Sequence, residues 1–346
     1  MEEQVLPRKD WTESDNGRRS EGNANIESTQ KSLLTEEQRE RLAKHDIHVD
    51  LVHYAGDGYD FKVLKFDSSL YFVNGIKALE DADVYSIFKS AQTKASFTSW
   101  EDDWQAYLKK WEESAESRPP FMAEEPEPVI FDDLFAEVLS KEGLIEINDW
   151  LIRVDLEKNL TKVIKADDLE SIPELLSDGC GSDSDRVMCF DSDTEAWPYL
   201  EEGANYTPSN GRVECSDPRA SGDKDETRGP RQGDKRSHTK VTYQKATIYF
   251  SIIAKIKGQK KGAFGAWYNK EIGYIGMNLR GSYGIRCGSG FNTYNAAIES
   301  AGRKATLRAY QSSNGLSGYS FICDHYWAEY SSPSQRMFGR TLRISG

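Results

Sequence analysis

The chain has 346 residues, 38% of them hydrophobic, and a formal net charge of -13, with a mean hydropathy of -0.68. That length allows two domains, but the composition is too polar to fill one large core, so part of the chain is expected to lie outside any core. No apolar run approaches the roughly 20 residues that cross a bilayer as a helix, since the longest, 248–256, is interrupted by Ser251 and Lys255.

Residues 1–44 read as a flexible polar tail with a short helix over 34–42, and the first 20 carry no apolar stretch of the kind a secretory signal needs. Residues 45–165 read as an α+β domain. IHVDLVHY, YDFKVLKF and SLYFVN predict two or three strands separated by Gly56-Asp57-Gly58 and Asp67-Ser68-Ser69. Trp100, Trp104, Tyr107, Leu108 and Trp111 then fall on one helical stripe, most simply a core-facing one, with Thr98 and Glu101 spaced as a capping box. EEPEP at 124–128 reads as extended linker. Phe131, Leu134, Phe135, Val138 and Leu139 mark a second helix, which Gly143 is placed to end. LIEIN and DWLIRVDL alternate as the arms of a hairpin turning at Asn148 and Asp149.

Residues 166–240 are dense in Asp, Ser and Gly and predict an acidic, disordered linker. Residues 241–346 predict a basic all-β domain, a sandwich or small barrel, with Lys and Arg facing solvent on alternate positions. It opens on VTYQKATIYFSIIAKIK and includes a hairpin across SSNGLS, and 292–304 reads as a short helix.

Charge divides unevenly along the chain. Residues 1–235 carry 53 acidic and 28 basic side chains, a balance of -25, whereas residues 236–346 carry 4 and 16, a balance of +12. Lys255, Lys257, Lys260, Lys261, Arg280, Arg286 and Arg308, interleaved with Trp267 and Tyr268, supply the charge and rings that follow a phosphate backbone and stack on bases. The same chemistry suits an acidic glycan, and the acidic half of the chain could itself neutralise the basic half. These readings stay open.

Other constellations weigh less. His45, His48 and His53 stand among carboxylates, but an odd separation sends positions 48 and 53 to opposite faces of a strand. Asp183, Asp185, Asp191, Asp193 and Glu195 are rich in oxygen without EF-hand spacing. RGSYGIRCGSG lacks the lysine of a phosphate loop. No metal and no cofactor is therefore expected. Five cysteines, without CxxC pairs, leave one disulfide open, either Cys287 with Cys323 or Cys180 with Cys189. Cys323 and His325 share a strand face, as a Cys–His nucleophile pair would, and separately His238, His325, Glu271, Glu299 and several Arg could build a ribonuclease-like acid–base site. The latter gives a nuclease-like alternative, a delivered effector, to the leading expectation of a non-catalytic binding or surface protein.

The segment FDDLFAEVLSKEGLIEINDWLIRVDLEKNLTKVI resembles a pattern of uncharacterised Bacteroidota proteins, a helix ending in "LLN" followed by "GEIQIGDTIYKI". Val138, Leu139 and Ser140 stand at the helix end, and Gly143, Ile145, Ile147, Asp149, Leu151 and Ile152 at the strand-turn-strand positions. The similarity extends loosely over 65–165 and 240–346. It implies no activity and no catalytic residues. It does imply export or surface association, from which the first 20 residues depart.

Overall fold

The computed structural model of the chain describes residues 34–115, 124–181, 186–200, 217–262 and 265–346. Helix α1 (Glu36–Ala43) precedes a hairpin of β1 (Val49–Gly56) and β2 (Tyr59–Phe66). The turn uses Asp57 and Gly58, the latter at φ +86°, where the absent Cβ removes the steric penalty. Three helices follow: α2 (Ser69–Ala78), α3 (Ala82–Lys94) and α4 (Trp100–Ala115).

SLYFVN is therefore helical, which corrects the expectation of a strand. Ser68 caps α2 by accepting from Tyr71 N, and Phe72, Val73 and Ile76 bury on one side of it. Tertiary burial outweighs the β propensity of the aromatic and branched residues. The capping box of α4 lies one position later than expected. Ser99 Oγ accepts from Asp102 N at 3.0 Å, and Asp102 Oδ2 accepts from Ser99 N at 3.2 Å. Trp100 and Trp111 are buried, and Trp104 packs against the core edge.

Helix α5 (Asp133–Val138) leads into β3 (Leu144–Ile147), β4 (Trp150–Asp155) and β5 (Leu160–Lys165). Strands β3 and β4 pair antiparallel across Asn148 and Asp149. Next come α6 (Ile172–Leu176), β6 (Met188–Phe190) and α7 (Trp197–Leu200). Strands β1 to β6 make one sheet in sequence order, parallel only between β2 and β3.

The remaining strands are β7 (Lys224–Gln232), β8 (Lys235–Lys245), β9 (Phe250–Lys261), β10 (Trp267–Asn269), β11 (Tyr274–Ile285), β12 (Phe291–Ser300), β13 (Lys304–Ser312), β14 (Leu316–Ala328), β15 (Met337–Phe338) and β16 (Leu342–Ser345). They form two five-stranded sheets. In one, β10-β9-β8-β7 run side by side with β13 also on β9; in the other, β12-β11-β14-β15 do so with β16 also on β14. Both contribute to one apolar cluster that includes Ile252, Ile256, Leu279, Phe321 and Trp327.

Three further expectations change here. The span 166–240 is not linker where it is described, because it holds α6, β6, α7, β7 and most of β8. Residues 292–304 are not helical, since β12 pairs with β11 from Phe291 to Ser300. A Cys287–Cys323 bridge does not form: Cys323 is a buried free thiol, Cys287 is held in another disulfide, and Cys180 bonds Cys189. Asp183, Asp185 and Cys215 lie outside the described residues.

Candidate functional site

Residues 124–133 are described as a strap laid along the first of the two β-rich sheets. It begins with a bridge between Glu124 and Trp267 and ends at the N-terminus of α5, which Asp132 caps by accepting from Leu134 N. Its carboxylates meet basic side chains of β8, β9 and β13. Glu124 pairs with Arg236. Glu125 Oε1 receives Lys257 Nζ at 2.9 Å, while its other oxygen receives Asn269 N at 2.7 Å. Glu127 Oε2 receives Lys240 Nζ at 2.5 Å. Asp133 receives Lys255 at 3.1 Å and Lys304 at 2.9 Å, together with Arg308, whose Nε also reaches Asp132 Oδ1 at 3.2 Å.

Burial makes these contacts interdependent. Burial alone would raise the Asp133 carboxyl, but Lys255, Lys304 and Arg308 hold it well below the usual carboxylate range. Lys255 is buried, donates to the Phe131 carbonyl and stands 4.7 Å from the Phe131 ring centre. Desolvation lowers its ammonium against the pull of Asp133.

Beside the strap, α4 closes a cavity of about 240 Å³ lined by Glu101, Trp104, Phe131, His238, Arg303 and Lys304 among others. Burial, and after it the charge of Asp133, raises Glu101 to about 7. The face of α4 next to it is aromatic: Trp104 stacks on Trp100 with ring centres 5.8 Å apart and meets Tyr107 at 5.3 Å.

The nine side chains singled out in the sequence do not share one solvent face. Lys255, Lys257 and Arg308 converge under the strap. Trp267 is buried beneath guanidinium groups, with Arg236 Cζ 4.1 Å and Arg231 Cζ 5.1 Å from its ring centre, so its faces are taken by the chain's own cations. Tyr268 is half-buried, Lys261 exposed, and Lys260 stands 3.6 Å from Asp234 at the far end of β9. Arg280 pairs with Asp324 at 2.5 Å on the second sheet. Arg286, next to the turn after β11, is buried against Glu195 at 2.6 Å. Solvent-facing Lys and Arg on alternate positions is thus corrected for Lys255, Lys257, Arg286 and Arg308, whose side chains are largely withdrawn from solvent against carboxylates, whereas Lys260 and Arg280 stay open to it.

The histidines divide as well. His53 lies on Asp60, and His48 rests on the Tyr71 ring. His238 and Thr239 are neighbours on β8 and so face opposite ways; His238 lines the cavity, whereas Thr239 Oγ1 lies 3.0 Å from His325 Nδ1. The two histidines assigned to an acid–base pair therefore lie on opposite sides of the first sheet, His238 on β8 and His325 on β14 of the second sheet. Burial brings His325 down to about 4 and raises the Cys323 thiol to about 12, which leaves that thiol without the thiolate a nucleophile needs.

Sequence reasoning missed the strap carboxylates. The available signal was the opposite charge of the two halves, together with the acidic run at 124–128 and the Asp132-Asp133 pair.

No family model and no curated protein matches the chain. Among solved structures, a DUF4848 family protein from Bacteroides thetaiotaomicron VPI-5482 is a weak structural neighbour, with 14% identity and a TM-score of 0.18, covering 84% of this chain and 98% of that one. A likeness this loose assigns neither fold nor family.

Proposed function

We propose that the protein is a non-catalytic binding protein whose basic β-rich domain engages an anion, and that in the resting chain the anion is its own acidic strap. We infer also that the two five-stranded sheets, which share one apolar cluster, pack as a sandwich behind that surface. The observation that carries the reading is the convergence of Lys255, Lys304 and Arg308 on Asp133, with Lys257 and Lys240 on the next carboxylates along. Five cations gathered on one sheet face repel each other unless an anion stands over them. An external polyanion, a nucleic acid or an acidic glycan, would bind by replacing the strap, phosphate or carboxylate for carboxylate.

The test compares the full chain with a variant carrying Glu124→Gln, Glu125→Gln and Glu127→Gln, which weakens the outer strap while keeping the deeper Asp132 and Asp133. Both are titrated against labelled single-stranded RNA, single-stranded DNA and an acidic glycan at roughly 50 and 200 mM salt, where phosphate contacts lose affinity steeply. The variant is expected to bind at least tenfold more tightly than the parent chain, with a strong salt dependence. A folded variant that binds none of the three at low salt overturns the proposal.

A further inference from the structure

Where the strap crosses β7 and β8, three side chains of metal-ligating type meet. Glu226 lies opposite Lys240 in the β7–β8 register, and His238 lies opposite Arg228, so Glu226 and His238 are diagonal neighbours on one face of the ladder. The strap lays Glu127 over them. His238 Nε2 is 3.4 Å from Glu127 Oε1 and 3.9 Å from Glu226 Oε2, and one ligand atom from each residue lies within 4.8 Å of the others.

The remaining oxygens are already used. Lys240 Nζ takes Glu127 Oε2 at 2.5 Å, and Arg228 Nη1 stands 3.3 Å from Glu226 Oε1. These contacts fix each carboxylate so that its second oxygen turns toward the imidazole. His238 is 7% exposed, and both its Nε2 and Glu127 Oε1 are buried without a hydrogen-bond partner. Two buried polar atoms that face each other without a hydrogen bond are costly, and a cation between them, taking a lone pair from each, removes that cost.

We propose that Glu127, Glu226 and His238 form a binding site for one divalent transition-metal ion of the zinc class. Ligands bound at about 2.0–2.2 Å in a tetrahedron stand about 3.4 Å from each other; the His238–Glu127 pair has that spacing at 3.4 Å, and Glu226, at 3.9 Å from His238, closes in by about half an ångström on binding. A mixed imidazole and carboxylate set suits zinc or its first-row neighbours, whereas calcium requires about six to eight oxygens. Four cations stand nearby: Lys240 and Arg228 hold the outer oxygens of Glu127 and Glu226, while Lys257 and Arg236 pair with Glu125 and Glu124, so each cation faces a carboxylate and the inner oxygens stay open to an ion. Both carboxylates keep about a quarter to a third of their surface open to solvent, which gives an ion its route in. Bound there, the ion ties the strap to the sheet.

This inference goes beyond the anion-binding reading and fails separately from it, since a metal titration requires no release of the strap. The full chain, freed of metal with a chelator and dialysed, is titrated with Zn2+ by calorimetry, and with Co2+ read by visible absorption. One ion per chain is expected, with the intense absorption of a low-coordinate Co2+ complex. Glu226→Gln, an isosteric change at a part-exposed position, should weaken binding at least tenfold, and His238→Ala should abolish it. His48→Ala with His53→Ala should leave it unchanged. The site is ruled out if the parent chain takes up no Zn2+ at a hundredfold excess, or if Glu226→Gln binds as tightly as the parent. Should His238→Ala fail to fold, Glu226→Gln and the Co2+ spectrum still decide.

Discussion

Glu101 illustrates how a single side chain can carry a pH dependence for the whole fold. Its carboxyl is lifted to about 7, above an ordinary value of 4.5, by burial and by Asp133, against the opposing pull of Lys304 and Lys255. As pH rises from 4.5 to 7, the unfolded chain releases this proton while the folded chain keeps it, so the folded state loses stability across that window. Glu101→Gln removes the loss. The variant is expected to be more stable than the parent at pH 8 by about 1–2 kcal/mol, a figure reduced from the full shift because the side chain keeps partial exposure. Denaturant unfolding at pH 5 and pH 8 measures it; equal differences at both pH values would contradict the assignment. A second residue-scale prediction concerns Gly339, where an added Cβ would lie 2.0 Å from His325 Cε1 and 2.3 Å from Nε2. His325 is 1% exposed and held at Thr239, so it has no room to withdraw. Gly339→Ala should cost about 1–3 kcal/mol by overpacking, read as a lower denaturation midpoint.

At the scale of elements, local chemistry was legible wherever turn residues and alternation agreed. The β1–β2 and β3–β4 hairpins follow from Gly58 and Asn148 at positive φ between alternating arms. The errors came where neighbours decide. Strand β7 is exposed or half-buried along its length and contains Asp, Glu, Arg and Pro, so its sequence reads as linker; its order comes from the hydrogen-bonding edge that β8 offers. Strand β12 contains two alanines and polar residues that suit a helix, yet ten of its positions pair with β11. The first half of the strap, 124–128, reads as linker for a related reason, since its pairing with strands more than a hundred positions later leaves no local pattern. Strand β6 is also held from outside its own sequence: it forms the edge of its sheet with three residues, and Cys189 within it is bonded to Cys180. Opening that bridge with Cys180→Ser and Cys189→Ser frees a loop of nine-residue separation. Chain entropy assigns the bridge about 2–3 kcal/mol. The expected outcome is a loss of that order in unfolding free energy, with amide exchange rising first in Met188 to Phe190; protection unchanged at β6 would mean that pairing with β5 alone holds the strand.

On the scale of the whole molecule, the two oppositely charged halves are joined through a buried polar node as well as through surface pairs. Asp132 is fully buried and accepts from Tyr249 Oη at 2.8 Å, from Arg308 Nε at 3.2 Å and from Leu134 N at 3.2 Å. It thereby fixes β13, the residue before β9 and the start of α5 at one point. Around it, Phe135 stacks on Tyr249 with ring centres 4.8 Å apart, and Ala246, Ile248 and Tyr249 from the β-rich part belong to the N-terminal core. Removing the carboxylate leaves the Arg308 guanidinium buried beside Asp133 alone, uncaps α5 and strands the Tyr249 hydroxyl. Loss of one partner from a buried charged pair costs about 3–5 kcal/mol. Asp132→Ala should therefore lower stability by that order and, because the node spans both halves, separate their unfolding. Scanning calorimetry should show one transition for the parent chain and two for the variant, the broader one belonging to the part that contains α1–α5. A single transition in the variant, shifted by less than about 1 kcal/mol, would assign the coupling of the halves to the shared aromatic core around Phe135 and Tyr249 rather than to Asp132.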